Sequence, residues 1–260
     1  MDNIISLKYT KNVDYFIVIL LPYIEDFLKD YPKIIINFYS QSPELCGILS
    51  LMFGDRVNTH KIQIIHYITN PNVYELDIFI KKYYDVSNIK RISRPLNLSE
   101  HNAKYKLNNI ICMFPKFDIN DAKNSMNMSD LNNFVENNKL VKDHIYFIGD
   151  PRERVNTHFG NDVIDFIDIV DVLRNCNIFI TTKSYWYHIA LICNCRNIIL
   201  YTRDPNIISH YTNKIDDHKN TDEIKDAIIK FNPFNCNIVV TSNLCDGEVI
   251  EFIRKQISKK

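Results

Sequence analysis

Short apolar runs and amphipathic stretches alternate along the chain, and that alternation predicts an α/β protein built on parallel strands. Two runs, Ile178 to Ile180 and Ile198 to Tyr201, carry no charge, as strands buried on both faces should. Between them the period changes. Trp186, Ile189, Ala190 and Cys193 recur at helical spacing, Ser184 stands where an N-cap would, and Asn194 can close the helix. The result is one βαβ unit. Its ligand would sit beyond the carboxyl end of the first strand, facing Thr181 to Ser184 and, one helical turn later, His188.

The same reading extends over the rest of the chain. Asn3 to Tyr9 is a strand candidate, Val13 to Pro22 is strongly apolar, and Ile34 to Phe38 is a strand. A helix from Ser42 to Phe53 has Ser42 as its cap, Pro43 at its first position and Glu44 in its first turn, and Gly54-Asp55 ends it. Ile62 to Ile68 reads as a strand, Val73 to Tyr84 as an amphipathic helix, and Ile89 to Ile92 as a short strand. Pro95 to Lys106 is polar and without pattern, which makes it a linker. The rhythm restarts with strands at Asn109 to Phe114 and His144 to Ile148, around a helix from Ser129 to Lys139. Val163 to Ile167 is strand-like, and Ile169 to Asn175 is a short helix before the central unit. Beyond it come a loop at Arg203-Asp204-Pro205, a capped helix from Thr221 to Phe231, a strand at Ile238 to Thr241, and a closing helix through Lys255. Two similar halves result.

The central stretch resembles the heptosyltransferase-like glycosyltransferases, family nine of the two-domain GT-B class. That family carries an apolar strand, Asp-Ser-Gly-Pro-x-His, an Ala-rich helix, Gly-Lys-Pro and another strand. Without a gap, Ser184, His188, Ala190 and Tyr201 match it. Lys183, Tyr185 and Trp186 stand where the family has Asp, Gly and Pro, and Asn194-Cys195-Arg196 replaces Gly-Lys-Pro. Upstream, Pro22 and Pro32 reproduce the spacing of the two prolines that bracket the family's first helix. Asp14, preceded by Val13, stands two residues farther from Pro22 than the family's catalytic Asp does, so equating the two requires a local insertion. Lys116 and Lys123 follow the strand after which the family places a phosphate-binding Lys, and Gly149 and Glu153 fall in register with its Gly-Gly-x-x-Glu turn.

The resemblance implies two Rossmann-like domains with a cleft between them: an acceptor-side domain with linker over 1–105, a nucleotide-sugar-binding domain over 106–242, and a closing helix, 243–260, that packs back toward the first domain. It also implies an inverting, metal-independent transfer of a sugar from a nucleotide-diphosphate sugar to a glycan or other hydroxyl acceptor, with no cofactor beyond the donor. In that scheme Asp14 and His188 are catalytic, and Lys183, Ser184, Tyr185, Lys123, Gly149 and Glu153 bind the donor. Such chemistry needs a base for the acceptor hydroxyl and cationic or dipolar groups for the departing diphosphate. Each residue also has a plainer reading. Ser184 is equally an N-cap, Lys183 a solvated loop lysine, His188 a core histidine and Asp14 part of a surface turn.

Composition narrows the choice. The 260 residues suffice for two small domains, and 31 Lys and Arg against 31 Asp and Glu leave no basic excess for nucleic acid. The Val13 to Pro22 run is too short for a bilayer, which takes about 20 residues, and Met1-Asp2 supplies no basic leader, so a soluble chain is expected. Seven cysteines, odd in number and mostly within apolar runs, suit reduced thiols in a cytoplasm, and Cys193-x-Cys195 lacks the second pair a zinc site needs. Abundant Asn, Ile, Lys and Tyr with 5 Gly suggest an AT-rich genome, as of a large DNA virus or a parasite, and a cytoplasmic product, in the host cytoplasm if viral. The run Tyr185-Trp186-Tyr187 either stacks on a base or sugar or fills the donor pocket. A glycosyltransferase, a non-catalytic GT-B-like binding or structural protein, and an unrelated α/β enzyme therefore all stand.

Overall fold

The structure, a computed structural model, describes residues 4–62, 72–86, 90–96, 111–114, 125–126, 128–147, 166–182, 185–211 and 228–258. The chain divides into two compact units, Met1–Ser99 and Glu100–Lys260, and each holds one sheet whose strand pairs are all parallel. The sheet of the first unit is formed by β1 (Ile4–Tyr9), β2 (Ile35–Ser40), β3 (Val57–Lys61) and β4 (Val73–Glu75), in the order β3-β2-β1-β4.

From β1 the chain enters a helical rod made of α1 (Val13–Tyr15), a π-helical segment (Phe16–Leu20) and α2 (Leu21–Asp30). Asn12 caps it, its Oδ1 accepting from the Asp14 and Tyr15 amides at 2.7 and 3.2 Å. All five π-helical residues are buried, and the Leu21 amide bonds to the Phe16 carbonyl one residue farther back than an α-helix would allow. Its apolarity on every side reflects enclosure in the core. The exit of α2 is closed by Arg56. Its Nε donates to the Ile34 carbonyl at 2.9 Å and its Nη2 to those of Leu28 and Tyr31 at 3.3 and 3.0 Å, the kind of helix-end acceptors that lack intrahelical donors. α3 (Pro43–Phe53) starts at Ser42, whose Oγ accepts from the Leu45 amide at 3.3 Å, and stops at Gly54, where φ is 52°.

Two edge strands depart from the sequence pattern. β3 lies earlier than the apolar run at Ile62 to Ile68; Ile62 is not in a strand, and residues 63–68 lie outside the described residues. Only Val57 of β3 is buried, so an apolar signal had no physical cause to be there. The Val73 to Tyr84 segment begins as β4 and becomes α4 (Leu76–Tyr83) only after Glu75. Residues 90–92 are irregular, and most of the linker expected from Pro95 lies outside the described residues.

In the second unit β5 (Ile111–Phe114) leads to α5 (Met128–Glu136), α6 (Lys139–His144) and β6 (Ile145–Phe147). Then come α7 (Phe166–Asn175), β7 (Ile178–Thr182), α8 (Tyr185–Ile192) and β8 (Asn197–Tyr201). α9 (Pro205–Tyr211), β9 (Asn237–Thr241) and α10 (Gly247–Ile257) complete the unit, and the sheet order is β6-β5-β7-β8-β9. The helix from Ser129 is thus two helices, residues 166–167 belong to α7 rather than to a strand, and α9 starts inside the expected Arg203 loop. Every residue of β7 and β8 is buried, as the unbroken apolar runs require.

Asn194 ends α8 with φ 58°, while its amide bonds to the Leu191 carbonyl and that of Cys195 to the Ala190 carbonyl, at 3.1 and 3.0 Å. That paired closure is a Schellman motif, with Asn in the left-handed position. The closing helix α10, expected to turn back toward the first domain, buries Val249, Ile253 and Ile257 in the core that holds Ile178, Ile180 and Ile199. Because a left-handed φ disfavours a side chain that cannot bond locally, Asn194→Ala should cost about 1 kcal/mol and Asn194→Gly almost nothing. Ser42→Ala should cost about 1 kcal/mol through its lost cap. Urea denaturation measures all three.

Candidate functional site

In an open parallel sheet a crevice forms beyond the carboxyl ends of two strands whose connections leave in opposite directions. In the second unit the order reverses between β5 and β7, in the first between β1 and β4. Those two sheet ends are the candidate sites.

At the second unit's crevice the carboxyl end of β7 presents Thr181 and Thr182, both fully buried. Thr181 Oγ1 donates to the Thr182 carbonyl at 3.1 Å, whereas Thr182 Oγ1 has no hydrogen-bond partner among the described residues. A buried, unsatisfied hydroxyl costs about 1–3 kcal/mol and is uncommon enough to mark a site. Lys183 and Ser184 come next and lie outside the described residues, as do Lys116 and Lys123 after β5 and Gly149 and Glu153 after β6. α8 then begins at Tyr185, directing an N-terminus with its partial positive charge at this edge of the sheet.

The aromatic run divides by burial. Trp186 and Tyr187 are 4% and 3% exposed and belong to the packing, whereas Tyr185 is only half-buried, its ring 5.3 Å from that of Trp186. His188 is 3% exposed, and its Nε2 lies 3.0 Å from the Ile228 carbonyl oxygen. A carbonyl only accepts, so Nε2 carries the hydrogen and ties α8 to helical residues 228–230. The ring packs 6.0 Å from Phe231. Through Nε2 this histidine holds the fold together.

Sequence reasoning passed over one cluster at the same edge. Asp130, in the first turn of α5, accepts from the Tyr201 hydroxyl at 3.1 Å and from Arg203 Nη2 at 2.7 Å, and Arg203 Cζ lies 5.8 Å from the centre of the Tyr201 ring. Arg203 is exposed and brings a cation to the carboxyl end of β8, beside β7. Residues 71 and 73 positions apart carry no spacing signal that a sequence could show.

In the first unit Asp14 lies on α1, partly exposed, two residues after the Asn12 cap. The turn is fixed from below by the Tyr9 hydroxyl, which donates to the Asn12 carbonyl at 2.8 Å, and by a Tyr9–Phe16 ring contact at 5.3 Å. Two ion pairs join the ends of β1 and β4: Lys8–Glu75 at 3.2 Å and Lys11–Asp77 at 2.5 Å. Burial raises the Tyr9 and Tyr15 hydroxyls above their usual 10.0, with the Asp77 charge adding in the same direction. Lys11 is also raised, chiefly by its bond to Asp77.

The cysteines gather at the opposite edge of the second sheet. Cys176, Cys195 and Cys236 precede β7, β8 and β9, and the Cys176 and Cys195 sulfurs lie 3.9 Å apart. Burial pushes Cys193 up, and the bond from Cys176 together with burial holds Cys195 well above the usual thiol range; Cys236 is pushed up to about 11 by burial. These are protonated, packed thiols. Among the described residues no three His, Cys, Asp or Glu side chains group as metal ligands, and no helix is long and apolar enough to cross a membrane.

No protein-family model matches this chain, and no curated protein matches it in sequence. Solved structures match it in fold. The E. coli ADP-heptose lps heptosyltransferase II superposes with a TM-score of 0.61 at 12% identity, covering 99% of this chain and 98% of that one. The E. coli heptosyltransferase WaaC with ADP-2-deoxy-2-fluoro heptose gives 0.54 at 11%, over 97% and 99%. A glycosyl transferase of family 9 from Veillonella parvula gives 0.53 at 10%, over 100% and 93%. The chain is thus similar in fold, over nearly its whole length, to glycosyltransferases of the heptosyltransferase kind.

Replacing His188 by Leu removes the donor to the Ile228 carbonyl and should lower stability by about 1–3 kcal/mol in urea denaturation. Among the cysteines whose burial is described Cys245 alone is exposed, so Cys245→Ser should diminish the fast phase of thiol titration by a disulfide reagent in the native protein, whereas Cys195→Ser should leave it unchanged.

Proposed function

We propose that this protein is an inverting, metal-independent glycosyltransferase that moves a sugar from a nucleotide-diphosphate sugar to an acceptor hydroxyl, without a further cofactor. The observation that carries the reading is the second unit's crevice, where α8 begins just beyond the carboxyl end of β7 and the Thr182 hydroxyl, buried there, has no hydrogen-bond partner among the described residues. The fold shared with glycosyltransferases supports it. A helix N-terminus stabilises phosphate through backbone amides and its dipole, the service a divalent ion gives elsewhere.

In this reading the diphosphate contacts Ser184, Lys183 and Lys123, with Arg203 as an added cation, while Gly149 and Glu153 bind the rest of the donor. Tyr185, the half-buried aromatic of the run, takes the base or sugar. Asp14 of the first unit accepts the proton of the acceptor hydroxyl as its oxygen bonds to the anomeric carbon. The bond from that carbon to the diphosphate breaks, and its electron pair leaves with the phosphate oxygen. Attack from the opposite face inverts the configuration. His188 acts by holding α8, and through it the phosphate-facing N-terminus.

The burial of Trp186 and Tyr187 favours one second reading, a GT-B-like binding or structural protein whose donor pocket is closed by packing. Nucleotide binding separates the two. A nucleoside diphosphate at 100 times its Kd should stabilise the native protein by about 2.7 kcal/mol, seen as a thermal shift. Asp14→Asn should keep that shift and lose transfer, because the base goes while the phosphate contacts stay. Ser184→Ala and Lys183→Ala should each weaken donor binding by about 1–3 kcal/mol. Calorimetry that finds no nucleoside diphosphate or nucleotide sugar bound removes the catalytic reading and leaves the second.

A further inference from the structure

The first unit holds a pocket of about 300 Å³ at the edge of its sheet opposite to Asp14. Arg56 lines the pocket and immediately precedes β3, and the Ile34 carbonyl it caps immediately precedes β2, so this is the amino edge, whereas Asp14 follows the carboxyl end of β1. The apolar walls are Leu28 and Phe53, from the last turns of α2 and α3. Three cations, Lys29, Arg56 and Arg94, line the same space. Against them stands one carboxylate, Glu25, which is 4% exposed and already engaged: Ser93 donates to it from its amide at 3.0 Å and from its hydroxyl, and Lys29 Nζ lies 3.6 Å away. Neither arginine has a carboxylate partner among the described residues. Arg56 gives Nε and Nη2 to helix-end carbonyls, and Arg94 gives Nη2 to the Met52 carbonyl at 2.5 Å. A guanidinium has more N–H donors than these bonds use. Capping explains where each arginine is anchored, but not why two guanidiniums and an ammonium surround one concave space. Like charges there repel each other, and an anion between them relieves the repulsion.

We infer that this pocket is a binding site for a small phosphomonoester, whose phosphate lies among Lys29, Arg56 and Arg94 and whose organic group lies against Phe53 and Leu28. Three positive charges less the one of Glu25 leave +2 around the pocket, which matches a dianion. A phosphomonoester approaches that charge at neutral pH, because its second pKa is about 6. The planar guanidinium forks suit its oxygens, and Lys29 adds a mobile point charge. Apolar walls beside a few charged groups are the make-up of a small-molecule site. Glu25 contributes by position. Its bonds to Ser93 tie the segment after α4 to α2, and so keep the next residue, Arg94, at the pocket with the ligand absent, which lowers the ordering cost of binding. The site belongs to the first unit alone, and its ligand binds whether or not the second unit takes a nucleotide sugar.

The test is calorimetric titration of the full chain with phenyl phosphate, which should bind with a Kd of about 1 mM or tighter. Arg94→Gln and Lys29→Gln should each weaken that binding about tenfold, the loss of one charge-assisted contact, whereas Lys183→Ala in the second unit should retain it. Inorganic phosphate should compete. Benzoate, which has the ring but a single charge, should bind about tenfold more weakly than phenyl phosphate. Should Arg94→Gln melt early through its lost bond to Met52, Lys29→Gln decides, because that side chain is 57% exposed and its removal leaves the fold intact. Unchanged phenyl phosphate affinity in Lys29→Gln overturns the inference, as does the absence of binding to the wild type. Benzoate binding as tight as that of phenyl phosphate removes the assignment to a dianion. Loss of phenyl phosphate binding in Lys183→Ala moves the phosphate to the second unit and equally overturns it.

Discussion

A parallel sheet has to be covered on both faces, because its strands arrive by crossovers and carry apolar side chains to either side. β7 and β8, buried at every position, are the strictest case, and their environment determines much of the second unit. Helices occupy the faces, so polar side chains able to meet a ligand are pushed to the strand ends. The two ends are not equivalent. At the amino edge Cys176, Cys195 and Cys236 are packed as buried thiols, whereas the carboxyl edge holds Thr182, Tyr201 and Arg203 with the N-termini of α5 and α8. Topology alone therefore separates an inert edge from a chemical one.

The first unit meets the same constraint with an added device. Its rod from Val13 to Asp30 contains a π segment between Asp14 and Pro22, the interval that is two residues longer than the heptosyltransferase pattern. A π turn winds more residues into each turn than an α turn does, so extra chain is taken up within the rod and need not form a loop. Full burial holds the π segment in place, since Phe16 packs against Tyr9 and Phe38 with ring centres 5.3 and 5.8 Å apart. Asp14 thereby stays at the start of a rigid helix, behind the Asn12 cap, despite the altered spacing.

What could be read from the sequence followed the strength of the burial signal. The central strand-helix-strand unit was legible because β7, α8 and β8 are almost wholly buried and Asn194 carries a local closing signal. Ser42, Pro43 and Gly54 marked α3 for the same local reason. β3 and β4 escaped because edge strands with part-exposed side chains need no apolar alternation, and the π segment escaped because its residues are apolar on every side and show no period. Of the candidate site, the sequence pointed to the end of β7, where the matching motif and the switch point of the sheet coincide. The Asp130–Arg203–Tyr201 cluster and Asp77 with Lys11 are tertiary arrangements between distant segments, and no spacing along the chain encodes them.

The departures at α8 bear on how the proposed donor phosphates would be held there. Glycine beside a phosphate permits close backbone approach, and Tyr185 at that position removes this freedom. Trp186 and Tyr187 turn inward and enlarge the apolar support under the first turn of the helix, while the His188 bond to Ile228 fixes its second. The first turns of the helix are therefore rigidly mounted, with the helix dipole intact. Rigid mounting compensates in part for lost proximity, because amides already oriented toward a charge need no reorganisation when it arrives. On that reasoning the decisive question for the proposed donor site is the space left beside Tyr185, the first residue of α8.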